Sequence, residues 1–342
     1  MKKIIIIGAG AMGSAFTVPC VENNNEVTLI GTHLENELIQ NIKKNKNFHP
    51  TLQINLSPKL RIERFENLKA VIDNGVDIIV AAISSVGIEW FVNEISKFYK
   101  KNISIVLLTK GLAIIDDELI TLSEKIKILL KKEGHSEISI SAIKGPCLAV
   151  GLANKMRTGT VIASQNIKEA QFLKKIISTE YYSTEISNDL DGVELSGAIK
   201  NIYSMIIGAA EGLSNPKSSI EVQSKYYLNT SASLIHRSIS EMVEFVCYYG
   251  GKSETVYGLA GLGDLYVSAI GGRNSMMGKY LGQGYLYKDA KELFMKDITV
   301  EGAELAFEIG PKILKDLKAK KFPLMFSILN TICQNQKLEI NW

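Results

Sequence analysis

The chain has 342 residues, 46% of them hydrophobic and 22% charged, with 39 Lys and Arg against 36 Asp and Glu for a formal charge of +3. Such a composition suits one large or two ordinary globular domains and excludes a disordered, fibrous or small disulfide-stapled chain. The charge is too small to hold nucleic acid or a membrane surface by bulk electrostatics, so an anionic partner must be caught by a local site.

In chain order, Lys2 and Lys3 followed by the apolar run from Ile4 to Cys20 imitate a secretory signal. Gly8, Gly10 and Gly13 break that run, and Thr17-Val18-Pro19 makes no lipoprotein cleavage site, so the segment reads as a strand, a turn and the start of a helix. No other stretch reaches the roughly 18 uninterrupted apolar residues of a membrane span. Strands are expected at Ile4 to Ile7, Glu26 to Ile30, Asp77 to Ala82, Ser104 to Leu108 and Ile138 to Ile143, with late strands at Val161 to Ala163 and Tyr181 to Glu185. Helical periodicity marks Asn36 to Lys46, Ile88 to Lys100 and Glu118 to Glu133 between them. That alternation predicts an α/β unit with a doubly wound parallel sheet. From about Asn188 the pattern turns to long helices, Val193 to Leu213, Ser231 to Tyr249 and Ala303 to Ala319, the last interrupted at Gly310-Pro311. The expected division is therefore a dinucleotide-binding domain over 1–187 and an all-helical substrate-binding domain over 188–342. Cys20, Cys147, Cys247 and Cys333 lie far apart without a C-x-x-C pair. Neither a metal site nor a disulfide framework is indicated, and a reduced, cytoplasmic setting fits.

Gly8-Ala9-Gly10-Ala11-Met12-Gly13 follows an apolar strand and opens a helix, the context that the dinucleotide fingerprint requires. Gly8 permits the tight turn, Gly10 lets a pyrophosphate reach the backbone, and Gly13 lets helix pack on strand, with the helix N-terminus facing the phosphate charge. At the end of the second strand, Ile30-Gly31-Thr32-His33 offers neither the carboxylate that selects NAD nor the arginine that selects NADP, and Glu35 lies far along the loop. Thr32 and His33 can hydrogen-bond either cofactor, or His33 is a solvated loop side chain. Cofactor preference stays open, and discrimination is expected to be modest.

Lys110, in Thr109-Lys110-Gly111-Leu112, stands at a strand end where open α/β sheets place ligands, though a solvated strand-end charge is the plain alternative. Gly145-Pro146-Cys147-Leu148-Ala149 follows the next strand in the same way, and its backbone N–H groups can face a phosphate or the nicotinamide. In Gly192 to Asn201, read on to Gly208 and Ala209, small residues leave a helix surface open to close approach, with Lys200 and Asn201 beside it. A protonated lysine beside a carbonyl supplies the proton that hydride transfer demands, and a neighbouring amide orients the oxygen. The plain alternative is a surface lysine on an amphipathic helix. Gly258 to Asp264, then Ser268 and Gly271-Gly272-Arg273-Asn274, form a candidate phosphate clamp, against the alternative of a Gly-rich turn with Arg273 paired to an aspartate such as Asp264.

These motifs, together with Thr299-Val300-Glu301-Gly302, give the chain a resemblance along nearly its whole length to the NAD(P)-dependent glycerol-3-phosphate dehydrogenase family. The resemblance implies a Rossmann-type N-terminal domain and interconversion of dihydroxyacetone phosphate and sn-glycerol 3-phosphate with NAD or NADP. It implies that Lys200 is the catalytic lysine, with Lys110, Asn201, Asp264 and Ser268 around the reacting end of the substrate. Arg273 and Asn274, after Gly272, match the phosphate-binding pair, and Gly145 matches a position beside the substrate. Cofactor contacts fall on Gly8, Gly10, Ala11, Met12, Gly13, Thr32, His33, Lys110, Ala149, Arg273 and Glu301. The partner implied is a small phosphorylated substrate, without nucleic acid or an integral membrane segment, and a homodimer is the assembly to test. Ser275 stands where a basic residue commonly follows Asn274, and Gly-Gly-Arg-Asn with its short spacer after Asp264 looks closer to the eukaryotic form. The alternatives are a reductase of another ketose phosphate or a silent dinucleotide-binding regulator.

Overall fold

The computed structural model describes residues 1–214 and 227–341. Its strands are β1 (Lys3–Ile7), β2 (Glu26–Ile30), β3 (Phe48–His49), β4 (Ile54–Asn55), β5 (Arg61–Glu63), β6 (Ile78–Ala81), β7 (Ser104–Leu107), β8 (Leu112–Ile115), β9 (Glu118–Thr121), β10 (Ser139–Lys144), β11 (Thr158–Ser164) and β12 (Tyr182–Ser187). The described chain divides into two compact units, one of residues 1–110 and 122–190, the other of residues 111–121 and 191–342.

The first unit is built on an eight-stranded sheet of order β12-β11-β10-β7-β6-β1-β2-β5. Every neighbouring pair runs parallel except β10 and β11, which are antiparallel, so the sheet is mixed at that side rather than parallel throughout. Ile4 to Ile7, Val27 to Ile30, Ile78 to Ala81 and Ser104 to Leu107 are buried on both faces, as strands between two helical layers must be, whereas the edge strand β12 alternates buried and exposed residues. The helices are α1 (Ala11–Glu22), α2 (Asn36–Lys44), α3 (Leu68–Asp73), α4 (Ile88–Ser96), α5 (Leu122–Lys132), α6 (Ala149–Ala153) and α7 (Ile167–Ile177). Ile4, Ile6, Phe16, Leu29, Ile39, Val80 and Val106 meet in one core. Strand order reverses at β1, with β2 on one side and β6 on the other. Ligands of such sheets bind beyond the carboxyl ends of the strands at this switch point.

The second unit holds α8 (Leu190–Leu213), α9 (Tyr227–Tyr248), α10 (Ser253–Tyr257), α11 (Asp264–Gly271), α12 (Arg273–Gly282), α13 (Tyr287–Phe294), α14 (Glu301–Asp316) and α15 (Pro323–Cys333). Residues 192–210 of α8 are all buried, and the small residues anticipated there are met by α12: a Cβ on Gly208 would strike Ser275, and one on Gly278 would strike the Met205 carbonyl. Glycine on both helices thus lets their backbones touch.

Two expected elements change. The helix expected over Glu118 to Glu133 begins only at Leu122, because Glu118–Thr121 pairs antiparallel with Leu112–Ile115. The turn between them puts Asp116 and Asp117 at φ 52° and 62°, the left-handed conformation of a two-residue hairpin that short Asp side chains tolerate. Lys312 and Lys315 of α14 hold Asp117 at 3.0 and 3.2 Å, which accounts for the hairpin's membership of the helical unit. Secondly, α14 runs through Gly310-Pro311 without a break. A Cβ on Gly310 would come within 2.8 Å of Cys333 Sγ, so this glycine serves close packing against α15, and tertiary packing overrides the helix-breaking tendency.

Candidate active site

In the first unit, the turn after β1 places Gly8 at φ 111°, where a Cβ would strike the Ala82 carbonyl. A Cβ on Gly13 would strike the Gly8 carbonyl and stand 2.9 Å from Ala82 Cβ. Among the described residues other than its chain neighbours, a Cβ on Gly10 would meet Glu35 Oε1 alone within contact range, at 3.8 Å. Gly10 precedes α1 and no side chain caps that helix, so the first-turn N–H groups from Ala11, Met12 and Gly13 form an uncapped positive helix end under an open approach. This cradle fits a dinucleotide diphosphate.

Beside it, Glu35 reaches back from the start of α2: its Oε2 accepts from Ala9 N at 3.0 Å and from Thr32 N at 2.8 Å. Glu35, far along the loop in sequence, thus reaches the turn after β1. The Glu35 N–H donates to the Thr32 carbonyl at 3.0 Å, and that tight turn shortens the distance. His33 is exposed and its ring lies 5.0 Å from that of Trp90, which in turn meets Phe65 at 4.8 Å. Two further strand ends on the same sheet edge carry Lys110 and the Gly145 loop. The buried Lys144 donates to the carbonyls of Leu107 at 3.2 Å and Thr109 at 2.7 Å, tying the chain before Lys110 to the chain before Gly145. Gly145, at φ 142°, turns the chain over Thr160, and Ala149 opens α6.

In the second unit, Lys200 projects from the buried part of α8. Its Nζ lies 2.8 Å from Asp264 Oδ1 and also donates to Ser268 Oγ; the Lys200 and Asp264 side chains are 5% and 4% exposed. The surface-lysine alternative is thereby excluded. A π-helical turn, Leu259–Gly263, brings Asp264 to the head of α11, and Gly261 sits where a Cβ would strike the Val256 carbonyl. Arg273 is not paired with Asp264 but with Glu301, at 2.7 Å, and both side chains are about half exposed (53% and 45%). The other Glu301 oxygen accepts from Asn201 Nδ2 at 3.3 Å, Asn201 Oδ1 accepts from Asn274 Nδ2 at 3.1 Å, and Asn274 Oδ1 accepts from Gly302 N at 2.8 Å. Asn201, Arg273, Asn274 and Glu301 are thus linked in one hydrogen-bonded chain. Gly272 precedes α12 without a side-chain cap, so the first-turn N–H groups of that helix and the Arg273 fork offer donors of the kind a phosphate takes. Ser275 Oγ donates back to the Ala269 carbonyl at 2.6 Å.

A family model described as the NAD-dependent glycerol-3-phosphate dehydrogenase N-terminus matches residues 3–170, and its C-terminal counterpart matches residues 189–340. The chain is 34% identical over 343 residues to the NADP(+)-dependent glycerol-3-phosphate dehydrogenase of Archaeoglobus fulgidus, covering 98% of this chain and 96% of the relative. The chain belongs to the NAD-dependent glycerol-3-phosphate dehydrogenase family. A glycerol-3-phosphate dehydrogenase [NAD(P)+] of Mesoplasma florum is 32% identical over 336 residues, 96% of this chain and 93% of that one. Among solved structures, glycerol-3-phosphate dehydrogenase from Coxiella burnetii superposes with a TM-score of 0.81 at 25% identity, covering 98% of this chain and 96% of the other. For a member of this NAD(P)-dependent family, the uncapped glycine-rich turn of the first unit is the feature that fits the cofactor.

Three residues that organise the site region and its support escape motif reading. His49 is fully buried and accepts the Leu52 N–H at Nδ1, 3.3 Å away, which leaves the proton on Nε2 to donate to the Ala9 carbonyl at 3.0 Å. It sits in a hairpin of two-residue strands, too short for any periodic signal. Glu35 depends on a local turn in the same way. Glu241, by contrast, left a trace: it falls on the buried stripe Leu234, Ser238, Glu241, Phe245 of α9, where an acid is out of place. Its carboxylate accepts from Tyr203 Oη at 3.2 Å and from Leu324 N and Met325 N at 2.9 and 3.0 Å, closing the N-terminus of α15. Burial pushes the Glu241 carboxyl above the usual range, and its hydrogen bonds to Leu324, Met325 and Tyr203 oppose that rise.

Proposed function

We propose that this protein interconverts dihydroxyacetone phosphate and sn-glycerol 3-phosphate with NAD(P)H, the dinucleotide resting on residues 1–187 and the substrate on residues 188–342. The observation that carries the reading is the buried Lys200 ammonium, fixed by Asp264 and Ser268 beside the Asn201-Asn274 amides. A bound nicotinamide supplies the hydride in the reducing direction. Lys200 holds a proton at Nζ against the carbonyl oxygen and gives it up as that oxygen gains charge; in the oxidising direction the amine takes the hydroxyl proton. Asp264 keeps the ammonium in place, and Asn201, itself held by Asn274 and Glu301, orients the oxygen.

Arg273, with Gly272 and the first-turn N–H groups of α12, grips the substrate phosphate, and that remote binding energy holds the ketone in the reacting geometry. Lys110, Gly145 and Ser268 complete the substrate contacts. Gly8, Gly10, Ala11, Met12, Gly13, Thr32, His33, Lys110, Ala149, Arg273 and Glu301 make the cofactor contacts. The Ser275 hydroxyl donates to the Ala269 carbonyl within its own segment. We assign the protein to the cytoplasm and to a homodimer. Among the described residues no helix is long and apolar enough to cross a membrane. Loss of reduced-cofactor absorbance with dihydroxyacetone phosphate tests the activity, and sedimentation velocity tests the dimer. Absence of turnover with this ketone and with related ketose phosphates would leave only a silent dinucleotide-binding protein.

A further inference from the structure

We infer that Glu35 is the residue that sets cofactor choice, accepting the adenosine ribose hydroxyls of NAD(H) and repelling the 2′-phosphate of NADP(H). The inference rests on the dinucleotide site proposed above and goes beyond it, since the names of the family and of its matched relatives cover both cofactors. Glu35 stands immediately before α2, yet its side chain does not cap that helix. It turns instead to the glycine-rich turn, where Oε2 takes the N–H groups of Ala9 and Thr32 at 3.0 and 2.8 Å. One carboxylate oxygen thus bridges the turn after β1 and the end of β2, the two places between which the adenosine ribose lies in sheets of this topology. The other oxygen, Oε1, faces the open side of Gly10, 3.8 Å from where a Cβ would stand.

The chemistry of that placement is one-sided. An ionised carboxylate only accepts hydrogen bonds, so Oε1 matches the vicinal hydroxyls of an unmodified ribose. A 2′-phosphate has no proton to give at neutral pH and would bring further negative charge against a carboxylate that two backbone donors hold in place. At the strand end itself the residues are Gly31, Thr32 and His33, with His33 against Trp90, and Arg64, which follows the neighbouring β5, stands two residues from the opposite charge of Glu66. On the next strand, Arg61 is paired with Glu63 at 2.8 Å. The Archaeoglobus fulgidus relative carries NADP(+) in its name, so likeness to that relative alone would assign the opposite preference.

The test is calorimetric titration of the intact protein with NADH, NADPH, adenosine 5′-monophosphate and adenosine 2′,5′-bisphosphate, none of which depends on turnover. The wild type is expected to bind each ligand lacking the 2′-phosphate at least about tenfold more tightly than its counterpart. Glu35→Gln, which keeps the size and an accepting oxygen but removes the charge, is expected to abolish most of that ratio. Equal affinities in the wild type, or a preference for the 2′-phosphate, would overturn the inference without recourse to any variant. An unchanged ratio in Glu35→Gln, with all four affinities falling together, would also overturn it by showing that Glu35 only shapes the turn. Failure of all four ligands to bind would instead remove the dinucleotide site itself, whereas tight binding without selectivity would leave that site standing.

Discussion

Lys200→Met separates what this lysine does for the reaction from what it does for the fold. The Lys200 side chain is almost fully buried with Nζ 2.8 Å from Asp264 Oδ1, so its removal withdraws the cation from a carboxylate that is itself almost fully buried. Breaking a buried ion pair from one side costs about 3–5 kcal/mol. At roughly 2–4 °C per kcal/mol for a domain of 150–250 residues, melting should fall by about 6–20 °C. Turnover should fall by about a hundredfold to ten-thousandfold, the usual worth of a positioned general acid. The double variant Lys200→Met/Asp264→Asn removes the buried carboxylate charge as well and should recover most of the lost stability while recovering none of the turnover. Melts followed by circular dichroism, with rates taken well below each variant's melting temperature, keep the two losses apart. Activity returning together with stability in the double variant would refute the reasoning, because Lys200 would then be a structural cation only.

Arg273→Ala should lower kcat/KM for dihydroxyacetone phosphate by at least about a hundredfold while barely changing the use of unphosphorylated dihydroxyacetone, and Arg273→Lys should recover only part, because an ammonium lacks the fork. Its half-exposed pairing with Glu301 contributes under about 1 kcal/mol, so the variant's melting temperature should hardly move; equal kinetic losses on both substrates would make Arg273 structural. Gly13→Ala puts a Cβ against the Gly8 carbonyl and should weaken NADH binding by about tenfold or more while costing about 1–3 kcal/mol of stability, read by titration and melting. The raised Glu241 carboxyl binds its proton more tightly folded than unfolded, so its contribution to stability falls as pH rises from the ordinary value of 4.5 through the raised one. Denaturant titrations of Glu241→Gln should therefore show its stability relative to wild type improving as pH rises through that window, and a gap that widens would reverse the assignment.

Legibility in the sequence followed how local each signal was. The central strands of the first unit announced themselves because a sheet covered on both faces needs unbroken apolar runs, and Ile4 to Ile7 is one, whereas the three-residue edge strand β5 (Arg61–Glu63) carried no such run and was not anticipated. The glycine turn after it was readable because Gly8, Gly10 and Gly13 each answer a different steric demand. Lys200 was harder: on α8 it sits in a stretch buried on every side, and periodicity gives no face to a helix that is buried all round. What had no signal depended on turns and distant pairing. Asp116-Asp117 made a hairpin out of residues that read as the start of a helix, and the close packing of Gly310 carried α14 across a proline. Glu35 reached Ala9 through the single Thr32 turn, and Arg273 took Glu301 in place of Asp264, a partner that no spacing rule selects.

The central claim is tested most directly by steady-state reduction of a panel of ketones by the wild-type protein, with both reduced cofactors, followed by cofactor absorbance. Dihydroxyacetone phosphate should give the highest kcat/KM, unphosphorylated dihydroxyacetone a value lower by at least about a hundredfold, and sn-glycerol 3-phosphate should drive the reverse reaction. A larger kcat/KM for a different ketose phosphate, or equal use of the phosphorylated and unphosphorylated ketone, would contradict the account.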